Sequence, residues 1–448
     1  MRVAVIGSGI SGCAAAWELS SWADVTVFEA DNRLGGHTHT QQIRVENRNF
    51  PVDTGFIVFN HRTYPGLKAW FETLGVETAA SDMSFSASLN HGALEWCGSS
   101  LSTVFAQRRN LISPRFWRML ADIMRFNRQA PRDAARFRLQ SESGPSLGDY
   151  LDHGGYSPLF LNAYLLPMAG AIWSCPPEQM RAFPMATFTQ FCENHGLLQI
   201  ADRPQWYTVR NGSATYIQKL QARLAQSGRH VIWRTQCNVD SVSPITSMSG
   251  NARVRIRGVQ TDAGAAQAFE DHYDAVVMAC HSDQAGQLLQ ETSPAKKIVS
   301  KIRYQKNLAV LHTDITLMPK RRAAWAAWNY LHTHDHASSS VSVTYWMNQL
   351  QPLPVKTPVL VSLNPIAPPR PEHILQSMHY AHPIFDGPAI QAQRALPSVQ
   401  GHEGIWLAGA WTRYGFHEDG FQSGTQAARD LRHHVVKTGH APALPNPA

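Results

Sequence analysis

The segment that decides the fold is Val3-Ala4-Val5-Ile6-Gly7-Ser8-Gly9-Ile10-Ser11-Gly12. Its apolar part predicts a buried strand, and the part that follows spaces three glycines as G-x-G-x-x-G. A helix-prone stretch comes next at Cys13–Leu19, and a second apolar run comes at Val25–Phe28. The order of strand, tight turn, helix and strand defines a βαβ unit close to the minimum length for one. We therefore predict an α/β fold that opens with a dinucleotide-type turn.

The residues of this turn suit the binding of a dinucleotide. Gly7 permits the tight turn, Gly9 lets the backbone approach a pyrophosphate, and Gly12 lets the helix pack closely on the strand. The N-terminus of the helix adds free N–H groups and the positive end of the helix dipole. Glu29 ends the second strand, where a carboxylate accepts hydrogen bonds from ribose hydroxyls. A glycine turn without a ligand is the weaker interpretation, because strand, helix and acid all occupy the places that binding requires.

A second group of residues extends the turn. The sequence Glu29-Ala30-Asp31-Asn32-Arg33-Leu34-Gly35-Gly36 adds a cation and two backbone amides, which we expect to lie over the same pyrophosphate. A simple NAD-binding domain does not need this addition. The segment resembles the extended signature of the flavin-containing amine oxidase superfamily, which includes amine oxidases, protoporphyrinogen oxidase and carotenoid desaturases.

Further parts of the chain resemble the same superfamily, in the same order. Val52–Phe56 is similar to the segment beside the isoalloxazine ring, and Tyr273–Ala279 is similar to the strand that returns to the cofactor domain. Leu407–Trp411 and Gly420–Gly424 resemble the C-terminal segment whose backbone amides reach the pyrophosphate and the pyrimidine edge. The resemblance also implies that Val239 or its neighbours touch the adenine through the backbone.

The resemblance implies an α/β protein in which a Rossmann-type, amine-oxidase-like FAD-binding domain carries an inserted α+β substrate domain. The expected pieces are 1–60, 205–285 and 395–440 for FAD binding, and 61–204 (helical over about 105–200) and 286–394 for the substrate domain. The residues implied for FAD binding are Gly7, Ser8, Gly9, Ile10, Ser11, Gly12, Glu29, Ala30, Arg33, Gly35, Gly36, His37, Thr54, Gly55, Phe56, Val239, Ala279, Gly409, Ala410, Trp411, Gly420 and Phe421.

The positions of the cysteines and histidines indicate how FAD is attached and whether disulfides or metal sites are expected. The covalently flavinylated members of the superfamily carry a cysteine shortly before the C-terminal segment, and no cysteine follows Cys280 here, so we expect non-covalent FAD. The six cysteines form no C-x-x-C pair, so neither a disulfide framework nor a structural zinc site is predicted. Three histidines alternate around Asp335, and a solvated hairpin explains them better than a metal site does. These histidines are His332, His334 and His336.

Composition excludes several classes of protein. With 44% hydrophobic and 16% charged residues, the chain can build a sizeable core and is not a disordered chain. No stretch approaches about 18 uninterrupted apolar residues, so no transmembrane helix is expected, and no signal peptide is recognisable. We expect a cytoplasmic protein, or one peripheral to the inner face of the cytoplasmic membrane.

Five segments go beyond the general pattern of the superfamily. They are Val52–Asn60, Ala279–Ala285, Trp325–Tyr330, Thr344–Asn348 and Gly415–Gly420. They resemble a bacterial flavoprotein branch often found beside cyclopropane fatty acid synthases and implicated in desaturating methylated acyl chains for furan fatty acids. This resemblance implies an FAD-dependent, desaturase-like oxidoreductase that moves a hydride from a fatty acyl or phospholipid substrate to flavin N5. It also implies a cyclopropane fatty acid synthase-type methyltransferase as a partner.

The segment 105–138 points to a lipid partner independently. It holds nine arginines against Asp122 and Asp133. Apolar residues fall at helical spacing within it, namely Phe116, Leu120 and Ile123, and the same face is widened by Trp117, Met119, Met124 and Phe126. A basic amphipathic helix with aromatic residues is typical of an anionic membrane surface. An arginine-rich helix that simply packs on the protein is the alternative, and nucleic acid is not expected because no binding module accompanies the charge.

The candidate catalytic residues come from the glycine-rich C-terminal segment. Flavin chemistry supplies the hydride acceptor, so the protein must place the substrate carbon, exclude water and direct a proton. His417 is the best general base by residue type, and Tyr414 and Arg413 are the further candidates. His417 alternatively only fixes the loop, and Arg413 alternatively pairs with Glu418.

Two rival functions stay open from the sequence. An amine oxidase of the same superfamily would need an aromatic cage open to a polar amine. An accessory flavoprotein would hand lipid or electrons to a synthase without turnover of its own. A group of aromatic residues either lines an apolar tunnel for a long chain or belongs to the core, and its members are Trp325, Trp328, Tyr330, Tyr345 and Trp346.

Overall fold

A parallel sheet holds the glycine turn at the carboxyl end of its first strand. The computed structural model describes residues 1–140, 144–199, 202–246, 252–262, 264–333 and 341–438. Within these residues the strands are β1 Arg2–Ile6, β2 Asp24–Phe28, β3 Thr40–Val45, β4 Arg48–Asp53, β5 Phe59–Asn60, β6 Thr78–Ser81, β7 Phe85–Leu89, β8 Leu94–Cys97, β9 Trp206–Val209, β10 Val231–Arg234, β11 Cys237–Thr246, β12 Ala252–Asp262, β13 Ala265–Tyr273, β14 Ala275–Met278, β15 Tyr304–His312, β16 Trp328–His332, β17 Val343–Trp346, β18 Leu360–Leu363, β19 Ile374–Pro383 and β20 Ile405–Leu407.

The helices lie mostly between residues 101 and 226 and at the C-terminal side of the chain. Within the described residues the α-helices are α1 Ile10–Leu19, α2 Pro65–Leu74, α3 Leu101–Val104, α4 Pro114–Gln140, α5 Leu147–His153, α6 Pro158–Phe160, α7 Leu166–Trp173, α8 Pro177–Arg181, α9 Met185–Asn194, α10 Ala214–Gln226, α11 Ser282–Leu288, α12 Pro294–Val299, α13 Met347–Leu350, α14 Gly387–Ala395 and α15 His417–Lys437.

The parallel sheet has the strand order β10-β2-β1-β14-β20. Val5 lies between Val27 and Val277 in the sheet register, and all three side chains are buried. Strands that are covered on both faces read as continuous apolar runs, which explains why these segments stand out in the sequence. Helices α1 and α15 cover one face, and the antiparallel sheet β11-β12-β13 with α11 and α12 covers the other. The expected Rossmann-type α/β fold is therefore confirmed.

A second, mixed sheet belongs to the inserted part of the chain. Its strand order is β19-β15-β18-β17-β16-β7-β8, and all of its strands come from the segments expected for the substrate domain. The helices between α4 and α9 pack on this sheet around a large aromatic core that includes Phe116, Phe126, Phe160 and Phe188. Mixed sheet and helical layer together form one wall of the cavity described below.

A buried carboxylate connects the two parts of the molecule close to that cavity. Asp53, at the end of β4, accepts hydrogen bonds from the Thr40 hydroxyl, from the Ser213 backbone and hydroxyl, and from the Gln351 side chain. Its burial raises the pKa of the carboxyl to about 6, although these donors oppose the rise. The network fixes the start of the next segment, Thr54–Phe56, which enters the cavity wall.

Helix α4 corrects the expectation of a single wide apolar face. Phe116, Met119 and Phe126 are buried against the protein core, whereas Trp117 and Met124 are exposed on the opposite side. The inner face therefore packs on the protein as the second interpretation supposed, and the outer face keeps apolar side chains in contact with solvent. None of the helices in the described ranges is long and apolar enough to cross a membrane.

Candidate cofactor and substrate site

One large cavity runs between the parallel sheet and the inserted part, with a volume of about 1020 Å³. This volume is at the upper limit of about 300–1,000 Å³ that is usual for ligand pockets. The glycine turn, the ends of the parallel strands and the start of α15 line one part, which we call the nucleotide half. Helices α7 and α9 and the mixed sheet line the other part, which we call the apolar half.

The glycine turn has the geometry that the spacing predicts. Gly7 adopts a positive φ of 97° and donates its N–H to the Phe28 carbonyl over 2.8 Å. A Cβ on Gly12 would lie 1.9 Å from the Gly7 carbonyl oxygen, so this position accepts only glycine. A Cβ on Gly9, in contrast, would meet no protein atom within 4 Å. The space above Gly9 is thus open to a ligand, as a pyrophosphate requires.

Glu29 is held by the turn that it is expected to complement. One carboxylate oxygen accepts the Ser8 N–H over 2.9 Å and the Ser8 hydroxyl over 2.5 Å, and the other accepts the Asp31 N–H over 3.0 Å. The Ser8 hydroxyl in turn accepts the Gly35 N–H over 3.0 Å, which joins the two glycine segments. The oxygen bound to Asp31 accepts only one hydrogen bond from the protein, so it can still accept one from a ribose hydroxyl.

Arg33 lines the cavity but its guanidinium is engaged with the protein backbone. It donates to the Thr38 carbonyl over 3.1 Å and to the Gly36 carbonyl over 2.9 Å, and it also pairs with Asp31. The guanidinium that we expected over the pyrophosphate instead holds the loop around Gly35 and Gly36 in place. Gly36 itself approaches the first turn, since its Cβ would lie 3.2 Å from the Gly9 Cα.

Three histidines meet beside the glycine turn. The ring of His37 lies 5.7 Å from the ring of His281 and 5.3 Å from that of His382, measured between centroids. Burial lowers the pKa of all three imidazoles, so they are neutral at neutral pH. His37 Nε2 has no hydrogen-bond partner among the described residues. The Asn307 amide group donates to His382 Nδ1 over 2.9 Å, which leaves the N–H of His382 on Nε2.

Sequence reasoning found only His37 of this histidine cluster. His281 lies three residues after the end of β14, and His382 lies near the end of β19, far away in the sequence. No local motif marks His382, because only the folding of the mixed sheet brings it to the turn. Neutral imidazoles with a free N–H are suitable donors to phosphate oxygens, so the cluster fits the diphosphate of a dinucleotide.

The apolar half is lined by aliphatic and aromatic side chains. They include Ile172, Trp173, Phe191, Leu197, Trp206, Trp328, Tyr345, Val361, Leu363, Met378 and Phe385. The acids that line the cavity are Glu29, Asp31 and Asp240, and all three belong to the nucleotide half. Within the described part of the chain, this half therefore offers neither a carboxylate nor a lysine to a ligand.

The five aromatic residues singled out from the sequence divide between wall and core. Trp328 and Tyr345 line the cavity, with their rings perpendicular at a centroid distance of 4.9 Å. Tyr330 is buried in the core of the inserted part. Trp325 and Trp346 stack with the Arg322 guanidinium instead. Both interpretations of this group are therefore correct for some of its members.

His417 begins α15 in the cavity wall. Its ring stacks on Phe56 at 3.6 Å between centroids, and its Nε2 lies 3.1 Å from the Thr38 hydroxyl and 3.4 Å from the Tyr216 hydroxyl. Burial lowers the pKa of His417 to about 3, so the imidazole is neutral and weakly basic. These contacts hold the ring in one orientation, and its role as a general base stays a prediction.

The neighbouring candidates differ in their placement. Tyr414 lines the cavity and contacts Phe191, and burial raises the pKa of its hydroxyl. Arg413 is exposed and does not line the cavity, so it is not placed to bind a ligand there. It does not pair with Glu418 either, because that carboxylate accepts the N–H groups of Gly66 and Leu67 at the start of α2.

Most residues predicted for FAD binding line the cavity, and the exceptions support it from outside. Gly12 and Gly35 shape the two turns, and Gly420 packs against Ile10 at the start of α1. Phe421 points away and packs on Trp70 of α2 at 5.2 Å. The predicted residues in the wall are Gly7, Ser8, Gly9, Ile10, Ser11, Glu29, Ala30, Arg33, Gly36, His37, Thr54, Gly55, Phe56, Val239, Ala279, Gly409, Ala410 and Trp411.

One of the three histidines that alternate around Asp335 lies within the described residues. His332 ends β16, and His334 and His336 lie outside the described residues. Among the residues that are described, no group of histidine, cysteine, aspartate and glutamate side chains is arranged to hold a metal ion.

The open space over Gly9, the carboxylate of Glu29 and the unpartnered His37 together fit a dinucleotide, and the adjoining apolar half fits a second ligand. The fold and cavity thus define a dinucleotide-dependent oxidoreductase. The chain belongs to the flavin-containing amine oxidoreductase family, whose model matches residues 10–432. FAD is accordingly its cofactor, and the C-terminal part of the chain has no cysteine to bind it covalently.

Relatives of known structure share the fold over nearly the whole chain. Cyclohexylamine oxidase from Brevibacterium oxydans is 16% identical with a TM-score of 0.62, covering 97% of this chain and 99% of its own. A CLA-producing fatty acid isomerase from P. acnes is 12% identical with a TM-score of 0.62, covering 96% and 98%. Protoporphyrinogen oxidase 2 from Arabidopsis thaliana is 64% identical over 36 residues, which are 8% of this chain and 7% of that protein.

Proposed function

We propose that the protein oxidises a long acyl chain in a desaturase-like reaction, with FAD as the hydride acceptor. The observation that carries the proposal is the composition of the apolar half of the cavity. Its aliphatic and aromatic walls would hold a hydrocarbon chain by burial of apolar surface, worth about 0.8 kcal/mol for each buried CH₂ group. Trp173 and Phe191 of this half contact Phe416 just before α15, where the resemblance to the family expects the flavin ring.

An amine substrate fits this half less well. A buried ammonium group is costly unless a carboxylate or several acceptors compensate it. The cavity acids all lie in the nucleotide half, where the resemblance to the family expects the ribose and the adenine. Trp328 and Tyr345 are perpendicular to each other and do not form a pair of parallel aromatic walls.

When bound, FAD supplies the acceptor for a hydride from the substrate. Dehydrogenation of two adjacent carbons also releases a proton, which a group of the protein must accept. His417 is neutral and lies in the cavity wall, next to the Thr38 and Tyr216 hydroxyls. Because its pKa is low, it can accept the proton only after hydride loss has made the neighbouring C–H strongly acidic.

The relatives support the proposal at the level of the fold. One structural neighbour is a fatty acid isomerase, so this architecture is compatible with chemistry on acyl chains. Other neighbours are oxidases of cyclohexylamine and putrescine, which is why an amine must be included in the test.

The test is anaerobic reduction of the bound flavin, read as bleaching of its visible absorption. We expect phospholipids with unsaturated or methyl-branched acyl chains to bleach it, and putrescine and cyclohexylamine to leave it oxidised. Mass spectrometry of the recovered lipid should then show acyl chains that have lost two hydrogens. Bleaching by amines alone would indicate an amine oxidase, and bleaching by neither class would favour an accessory flavoprotein or a redox-neutral isomerase.

A further inference from the structure

The outer face of α4 carries a solvent-exposed apolar stripe. Trp117, Ala121 and Met124 follow one another at intervals of four and three residues, so they lie on one side of the helix. Trp117 is 50% exposed and Met124 is 57% exposed, although the inner face of the same helix is packed into the core. A helix that needs only to cover the core has no use for this second stripe.

The residues just before the helix extend the stripe. Ile112 is 85% exposed and Leu111 is 44% exposed. The Trp117 indole N–H donates to the Leu111 carbonyl over 2.8 Å, and its ring packs on Phe105 at 5.3 Å. These contacts fix the indole beside the exposed aliphatic side chains, so the apolar patch is formed before any partner binds.

The charge around the patch is strongly positive. The segment 105–138 contains nine arginines and two aspartates, an excess of seven that equals the net charge of the whole chain. Asp122 is buried and is used by Arg118 and Arg125. Among the described residues, the side chains of five exposed arginines of this segment form no hydrogen bond or ion pair, and they belong to Arg108, Arg115, Arg128, Arg132 and Arg136.

We propose that the outer face of α4, with residues 108–112, docks on an anionic phospholipid bilayer. Unpaired arginines match anionic headgroups in charge, while Ile112, Trp117 and Met124 enter the boundary between headgroups and acyl chains. Tryptophan is the residue that prefers this boundary. Docking on the bilayer does not depend on the reaction. Only the idea that the bilayer supplies an acyl substrate rests on the proposed function.

The inner side of α4 lies close to a segment of the cavity wall. It places Asn127 and Pro131 in the wall of a small cavity of about 250 Å³ that is also lined by Arg62, Glu193, Leu198 and Gln199. The residue that precedes Leu198, Leu197, lines the apolar half of the main cavity. The docking face and the apolar half are therefore joined through α4 and the segment 197–199.

The experiment is cosedimentation of the FAD-loaded protein with vesicles. We expect binding to vesicles of phosphatidylcholine with phosphatidylglycerol, weak binding to phosphatidylcholine alone, and a decrease as salt increases. The triple variant Arg108→Gln, Arg115→Gln, Arg128→Gln should bind about 100-fold more weakly. The double variant Ile112→Ser, Met124→Ser should also bind more weakly, and all of these positions are exposed, so FAD content and melting temperature should not change.

A matched control removes the same charge elsewhere. Arg44→Gln, Arg223→Gln, Arg432→Gln changes three exposed arginines outside α4, and Ile232→Ser removes an aliphatic side chain that is 61% exposed. These controls should bind vesicles like the unmodified protein. The proposal is overturned if the unmodified protein does not sediment with anionic vesicles, or if the control triple variant loses binding as strongly as the α4 variant. Because the readout is binding without turnover, a failed oxidation assay does not decide it.

Discussion

The two halves of the cavity are built from different materials. The nucleotide half is made largely of backbone, with glycine turns, strand ends and helix starts that bring N–H groups and open space to one place. The apolar half is made of side chains that come from two helices and a mixed sheet. A site formed by backbone atoms requires particular residue types at fixed spacing along the chain. A site lined by apolar side chains requires only bulky hydrophobic residues at positions that folding brings together. The first half is therefore readable as motifs, and the second is specified by the fold.

The largest effects should come from Gly9 and Gly12, because substitution of one should affect FAD binding and substitution of the other should affect the stability of the fold. Gly12→Ala places a Cβ 1.9 Å from the Gly7 carbonyl oxygen, and we expect a loss of about 3 kcal/mol or more of unfolding free energy. Gly9→Ala meets no protein atom, and its φ of −60° suits alanine, so the apoprotein should lose less than about 1 kcal/mol.

The affinity for FAD, in contrast, should be reduced directly by the substitution of Gly9. Gly9→Ala fills the space for the pyrophosphate, and we expect FAD affinity to fall by about 100-fold or more, that is by about 3 kcal/mol. Chemical denaturation of the apoprotein and fluorescence titration with FAD measure the two effects. A stable Gly9→Ala protein that binds FAD normally would show that the pyrophosphate does not lie over this turn.

The apolar half can be blocked without touching the nucleotide half. Leu197→Trp adds bulk at a half-buried position in its wall, and we expect flavin reduction by long-chain substrates to slow at least tenfold, or by about 1.4 kcal/mol. FAD affinity should change less than twofold. Leu197→Met, which conserves volume, is the matched control and should behave like the unmodified protein. Equal rates for Leu197→Trp and Leu197→Met would place the substrate elsewhere.

Glu29 tests the ribose end of the nucleotide half. Glu29→Ala removes the acceptor for Ser8 and Asp31 and for the expected ribose hydroxyls, and hydrogen bonds to a charged group contribute about 1.5–3 kcal/mol. We expect FAD affinity to fall by about 10–100-fold. Asp31→Ala, at an exposed neighbouring acid, serves as the control and should have a much smaller effect. Similar losses in both variants would mean that the general negative charge matters, and not the position of Glu29.

The smallest effect should be the pH dependence given by the histidine cluster. Burial keeps His382 at a pKa of about 4 in the apoprotein, below the ordinary 6.5, and the pKa values of His37 and His281 are also lowered. A bound diphosphate is negative and raises these values, so the complex binds more protons than the apoprotein does. FAD affinity should therefore rise as pH falls toward the apoprotein value of about 4 for His382, by about tenfold or less per pH unit for each proton taken up.

Calorimetry in two buffers with different heats of ionisation counts the protons directly. We expect net proton uptake on FAD binding, and a smaller uptake in His382→Gln. Arg33 faces the cluster and opposes its protonation, while Asp283 favours protonation of His281, so both charges must stay unmodified in the comparison. Proton release on FAD binding, or an FAD affinity that does not depend on pH, would show that the three histidines do not contact the diphosphate.

The glycine turns and Glu29 of the nucleotide half could be predicted from the sequence, whereas His281 and His382 beside them, and most of the apolar half, could not. Gly7, Gly9 and Glu29 act through local geometry, and the structure has them where the spacing requires. Arg33 lines the cavity as expected, but its guanidinium is used by the carbonyl groups of its own loop. Arg413 is exposed while its neighbour Tyr414 lines the cavity, and no local pattern tells these two orientations apart.

The parts that were missed depend on long-range register. Ala309 and Leu363 line the apolar half as paired neighbours of β15 and β18, and no local pattern predicts that pairing. His382 reaches the glycine turn in the same way, from the end of β19. The periodicity of α4 was recognised, but not that Trp117 and Met124 face away from the core, because both faces of that helix carry apolar residues.

The most direct test of the account is a double titration of the apoprotein, first with FAD and then with a long-chain fatty acid, followed by flavin absorption. The account predicts that each chain binds one FAD and that the fatty acid then shifts the flavin spectrum, with no shift in Leu197→Trp. Failure to bind FAD, or a flavin spectrum that responds to amines but not to fatty acids, would contradict it.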